Sequence, residues 1–133
     1  MEILERMAAW VSGFPGFSGW PVTLCRHDGA VNSLSLFPGQ DRLLEEKANV
    51  LGQVTQYREK QFTLYFTGPA FSPPSYAKAL DFIKWVREKC RGIGEVFPFA
   101  TGIAAEEKGR KGEKGEHTVT WQIAISLYYT KTY

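Results

Sequence analysis

Histidine and cysteine are nearly missing from this chain of 133 residues, with two of each. A metal site needs several His, Cys, Asp or Glu side chains at ligand spacing, and neither His27 nor His117 has such a pattern around it. Both are expected in solvent, one in a turn and one at the start of a strand. Cys25 and Cys90 lie far apart without a Cys-x-x-Cys step, which reads as two small buried or half-buried thiols in a reducing compartment and gives no disulfide framework. His27 stands close to Cys25, but a nucleophile and base would have to meet in space, and nothing else in the sequence supports that pair.

Long apolar runs are also lacking, and none approaches the ~18 residues of a membrane span. The opening Met1-Glu2-Ile3-Leu4-Glu5-Arg6 has acids where a secretory signal has a basic start, so a cytoplasmic protein is expected. Nor does one sign of charge dominate. Sixteen basic and 14 acidic side chains leave a net +2, too balanced for a strong field toward phosphate backbones or anionic membranes.

Phosphate-binding glycine loops fail on context. Gly92-Ile93-Gly94 follows an expected helix where a dinucleotide fingerprint would precede one. Gly109, Gly112 and Gly115 sit among lysines with no Gly-Lys-Ser or Gly-Lys-Thr step after them. The adjacent acids Glu45-Glu46 and Glu106-Glu107 read as solvated charge. The expectation is a protein with no catalytic set, no cofactor and no metal, which is not an enzyme.

What is present is enough for a core. Apolar residues make up 44% of the chain and aromatics 14%, and the length suits one domain spanning 1–133. Residues 2–12 read as an amphipathic helix, with Ile3, Leu4, Met7, Ala8 and Val11 at helical spacing. The loop Phe14-Pro15-Gly16-Phe17-Ser18-Gly19 follows, and its aromatics are expected to fold back onto the domain or onto a neighbour. Residues 21–26 and 33–37 alternate as strands, joined through His27-Asp28-Gly29 in a hairpin-like turn, with Pro38-Gly39 breaking the second.

Residues 42–60 support two assignments. Leu43, Leu44, Ala48 and Leu51 make a helical stripe, while Leu44, Glu46, Ala48 and Val50 make one half-apolar strand face with Gly52 in a turn. Phe62, Leu64 and Phe66 then alternate with Thr63, Tyr65 and Thr67 until Gly68-Pro69. A helix is expected over 75–91 with the stripe Ala79, Leu80, Ile83, Val86 and Cys90, Trp85 at its edge, and Gly92 and Gly94 stopping it. Phe97-Pro98-Phe99-Ala100 opens a strand that Thr101–Ala105 continue. Glu106–Glu116 holds four acids, four bases and three glycines and no large apolar residue, so a flexible charged loop is expected. In the last strand Val119, Trp121, Ile123, Ile125, Leu127 and Tyr129 share one face. The expected fold is α+β: a mostly antiparallel sheet of about four to six strands with two helices packed on one face.

Two function classes fit such a fold. Sheet aromatics such as Tyr57, Tyr65 or Tyr128 can stack bases in a nucleic-acid-binding domain, though no RNP-like run is present. The second class enters through a resemblance. The order of a leading helix Met1–Ser12, the strand Ser33-Leu34-Ser35-Leu36-Phe37-Pro38, the strand Gln61-Phe62-Thr63-Leu64-Tyr65-Phe66, the helix Tyr76–Trp85 and the long strand Val119–Tyr129 resembles the minor capsid and tail terminator family of long-tailed phages and prophages. The resemblance spans nearly the whole chain. Where family members often carry a Tyr-x-Asp-Gly step, Val50-Leu51-Gly52 stands here.

The resemblance implies strands over 42–60 and a structural protein. Its copies would form a ring, usually hexameric, that caps the tail tube and joins it to the head connector, in the bacterial cytoplasm during assembly and then in the virion. Such a ring needs a head-to-tail contact that closes by rotation. The charged stretch offers partner contacts in Glu106, Glu107, Lys108, Arg110, Lys111, Glu113 and Lys114, with other copies and the tail-tube or head-connector proteins as partners.

Overall fold

The computed structural model describes residues 3–26, 32–69, 74–112 and 118–132. Along the chain lie α1 (Ile3–Ser12), a 3-10 turn (Pro15–Phe17), β1 (Val22–Leu24), β2 (Ser33–Ala48), β3 (Val54–Pro69) and α2 (Pro74–Lys89). A second 3-10 turn (Cys90–Gly92), α3 (Ile93–Val96), β4 (Ala100–Gly112) and β5 (Thr118–Thr132) complete it. The five strands form one mixed, mostly antiparallel sheet in the order β1-β2-β3-β5-β4, so the fold is α+β as the pattern predicts.

Alternation decides which face is covered. Register sets Leu34 beside Phe66 beside Trp121, and Leu36 beside Leu64 beside Ile123, with Phe62 beside Ile125 in the next apolar row. All of these side chains are buried, and they share one core with Met7, Ala8 and Val11 of α1 and with Ala79, Phe82 and Val86 of α2. Phe14 and Phe17 fold back onto the domain, as expected of that loop. The Phe17 ring lies 5.4 Å from Phe66 of the sheet, 5.4 Å from Phe82 of α2 and 5.0 Å from Phe14. Each such ring contributes about 1.5–3 kcal/mol by leaving water.

Several expectations change. β1 does not form a hairpin with β2: the two run parallel, Val22 beside Leu34 and Leu24 beside Leu36. Cys25, at φ 61°, turns the chain sharply after β1, and the Thr23 hydroxyl holds that turn by donating to the Arg26 carbonyl at 2.9 Å. Asp28-Gly29 lies outside the described residues.

Pro38-Gly39 bends β2 without ending it. The pairing slips between Pro38 and Asp41, a bulge that absorbs the proline, and the strand continues to Ala48. Residues 42–60 are therefore strand and turn. A helical stripe there would find no face to pack on, whereas the strands gain cross-strand partners such as Arg42 beside Glu59.

On α2 the buried stripe is Ala79, Phe82 and Val86, while Leu80 is exposed. Helical rotation from Ala79 carries position 82 inward and position 80 sideways. The helical path also continues past Gly92 into α3, which contains Gly94, and Phe97 packs in the core before β4 begins at Ala100. Finally, the first seven residues of the expected flexible loop at 106–116 are strand. Residues 106–112 belong to β4 and pair with β5 from Ala124 to Val119, because backbone pairing needs no apolar side chains. Residues 113–117 lie outside the described residues.

The bulge is testable. A Cβ on Gly39 would meet the Gln61 carbonyl oxygen at 2.9 Å and the Gln61 Cβ at 3.1 Å, and a backbone atom cannot swing away. Gly39→Ala is expected to cost about 1–3 kcal/mol, read as a lower urea midpoint with an unchanged slope. An unchanged midpoint would contradict this packing.

Candidate functional site

The sheet face opposite the helices carries the polar half of each strand. Tyr57, Glu59, Gln61, Thr63 and Tyr65 of β3 alternate onto it, with Ser126 and Tyr128 of β5 alongside. Around Glu59 these strands form a hollow of about 480 Å³, whose lining includes Arg42, Gln61, Ser126, Tyr128, Glu106 and Lys108. Glu59 is 4% exposed, an unusual place for a carboxylate. Arg42 Nε donates to its Oε1 at 2.7 Å and Gln61 Nε2 donates to the same oxygen at 3.0 Å.

Burial alone would push the Glu59 carboxyl up. The hydrogen bonds from Gln61, Arg42 and Ser126, together with the Arg42 charge, outweigh it and hold the group below the ordinary glutamate range. Tyr128 is raised, first by its own burial and then by the Glu59 charge and hydrogen bond. A carboxylate held ionised by four neighbours is a poor proton acceptor, so this cluster ties β2, β3 and β5 together and does not offer general-base chemistry. Among the described residues there is no group of three or more His, Cys, Asp or Glu placed to hold a metal. Cys90 is half-buried as expected, but Cys25 is exposed, because it sits in the left-handed turn that leaves β1; both are free thiols. His27 and His117 lie outside the described residues.

Five of the seven partner-contact residues read from the sequence, Glu106, Glu107, Lys108, Arg110 and Lys111, fall on the edge strand β4. Glu106 and Lys108 are exposed, line the hollow and form an ion pair at 3.1 Å. Glu107 is half-buried. Arg110 and Lys111 are paired through the backbone with Trp121 and Thr120. Glu113 and Lys114 lie outside the described residues.

Two features are not readable in the sequence. One is the Arg42–Glu59 pair, whose members are 17 residues apart and meet only through the β2–β3 register. The other is a long β2–β3 hairpin whose tip is ordered by Asn49. The Asn49 Oδ1 accepts from Leu51 N at 2.9 Å and from Gln53 N at 3.0 Å, and Gly52 takes φ 84° to complete the turn. At its base, Asp41 accepts from Arg58 Nε at 3.1 Å and from the Tyr129 hydroxyl. Val50 is 102% exposed and Leu51 83%, so among the described residues Val50 packs against nothing.

The buried carboxylate makes acid stability a test. A group whose folded pKa is depressed stabilises the fold above its unfolded pKa and loses that contribution as pH falls through the folded value. Glu59→Gln is expected to lower stability at neutral pH by about 1–3 kcal/mol. It should also flatten the loss of stability as pH falls below about 5, measured as urea midpoints against pH. Parallel curves for the two proteins would contradict the assignment. In comparison with known proteins, no family model matches the chain and no curated protein matches it.

Proposed function

We propose that this chain is a structural assembly protein of the tail-terminator type, whose copies join side by side into a ring that caps a phage tail tube and joins it to the head. The observation that carries the reading is a sheet ending in two long free edges. Among the described residues, β1 covers β2 only from Leu34 to Leu36, and no strand lies outside β4. β2 is antiparallel to β3, β3 to β5 and β5 to β4, so β2 and β4 run in opposite directions. Setting β4 of one copy beside β2 of the next therefore continues the antiparallel ladder. Each copy has one edge of each kind, which makes the contact heterologous and lets rotation close it.

Charge supports the same reading. The β2 edge carries Arg42, Glu45, Glu46 and Lys47, and the β4 edge carries Glu106, Glu107, Lys108, Arg110 and Lys111. Mixed signs on both sides set a register without a strong net field, and bulges on both strands hold off indiscriminate pairing.

Tyr57, Tyr65 and Tyr128 share the open face, which favours a second reading as a nucleic-acid-binding sheet. Against it, Tyr65 is packed edge-on against Phe37 at 5.5 Å and Tyr128 is bonded to the Glu59 carboxylate, a negative charge in the path of a phosphate backbone. The two readings separate by negative-stain microscopy of the protein alone and mixed with tail tubes from the same genome. Rings, or tubes capped at one end, are the expected outcome. Tubes that overgrow uncapped, together with an oligonucleotide shift steep in salt, would replace this reading with the second.

A further inference from the structure

We propose that the Val50–Leu51 tip of the β2–β3 hairpin seats in a groove between α1 and the α2–α3 corner of a second copy of this chain. This deepens the assembly reading above and rests on it. The groove measures about 500 Å³, and Ala9, Trp10, Gly13, Trp85, Gly92 and Val96 line it. Its floor is the Trp10–Trp85 pair, with ring centroids 4.7 Å apart. It is open because Ala9, Gly13 and Gly92 have little or no side chain above those rings. Lys89 and Glu95 complete the lining.

Three observations point to a second copy as the occupant. The first is complementary shape and charge. Two aliphatic side chains stand proud on the tip to meet a floor of aromatic rings, and Glu46, on the helix-side face of the stem opposite Gln56, is a counterpart for Lys89. The second is pre-organisation. Asn49 and Gly52 fix the tip, and the Asp41–Arg58–Tyr129 cluster fixes its base, so little freedom is lost on docking.

The third is position. Ala100, which opens β4, stands in one ladder row with Tyr129, Arg58 and Leu43. The α2–α3 corner lies just before Ala100 in the chain, at the end of the sheet from which the hairpin projects. From Arg58 to the base of the turn at Val54 the hairpin runs on by roughly 13 Å. When β4 of one copy lies beside β2 of the next, the antiparallel direction brings the α2–α3 corner of the first alongside the hairpin of the second. The tip contact alone is far below the roughly 1,200 Å² of a standard interface, so it acts together with the edge contact and with ring closure.

The test is cross-linking between two single-cysteine proteins, made in a Cys25→Ser, Cys90→Ala background. Leu51→Cys on one protein and Glu95→Cys on the other, mixed under mild oxidation with and without tail tubes, are expected to form a disulfide-linked pair. Its yield should exceed that of Leu51→Cys with a control Thr63→Cys by at least about tenfold. Adding Gly92→Phe to the Glu95→Cys protein should abolish the link. Gly92 has φ −93°, and a Cβ added there would meet nothing within 4 Å, so the larger side chain fills the groove and leaves the fold intact. Rings without this cross-link, or a link indifferent to Gly92→Phe, would overturn the tip contact and leave the ring reading standing. A specific cross-link without rings or tube capping would keep the tip contact and remove the terminator role.

Discussion

Phe17 lies where three separate parts of the chain meet. Its ring packs on Phe66 of the central strand, on Phe82 of the main helix and on Trp20 beyond its own turn. That contact locks both helices onto one side of the sheet, because α1 leads directly into the loop that carries Phe17 and α2 contributes Phe82. With every large apolar row turned to that side, the opposite face is left to Thr63, Tyr65, Gln61 and the Glu59 cluster. This packing covers one face of the five-stranded sheet, and among the described residues no strand lies outside β4.

The features of functional interest are consequences of that one-sidedness. Glu59 can be buried on the uncovered face only because Gln61 of its own strand, Arg42 of β2, and Ser126 and Tyr128 of β5 converge on it. β4 can carry Glu106, Lys108, Arg110 and Lys111 because an edge strand with one partner owes its stability to backbone pairing and not to buried side chains. The hairpin stands out from the helical layer with Leu43, Leu44, Val50 and Leu51 exposed, apolar surface that the fold itself does not use. Edges, tip and groove belong to one pattern, in which, among the described residues, no strand covers β4 and only three residues of β1 cover β2.

How much of this is legible in the sequence depends on whether the signal is local. Helical spacing from Ile3 to Val11 and strict alternation through Phe62–Phe66 and Trp121–Leu127 reveal α1 and the two central strands, because buried faces impose their period on the residues themselves. The stripe on α2 is legible except that Phe82, and not Leu80, faces inward. Beyond Ala105, β4 reads as a loop, since an exposed edge strand imposes no apolar period. The parallel placement of β1 and the bulge at Pro38-Gly39 depend on which strands lie alongside, and composition is silent on that. The same holds for the Arg42–Glu59 pair and for the tip-and-groove geometry, which exist only once the register is set.

Everything proposed about assembly depends on the two free edges. Amide hydrogen exchange, followed residue by residue in the free protein and in its assembled state, reads them without any substitution. Amides of β3 and β5 should be protected in both states. On β2 (40–48) and β4 (100–108), the alternate amides that point away from the neighbouring strand should exchange fast in the free protein and become protected on assembly. If both edges exchange equally fast in the two states while another surface gains protection, the sheet does not continue from copy to copy and the edge-to-edge ring is wrong.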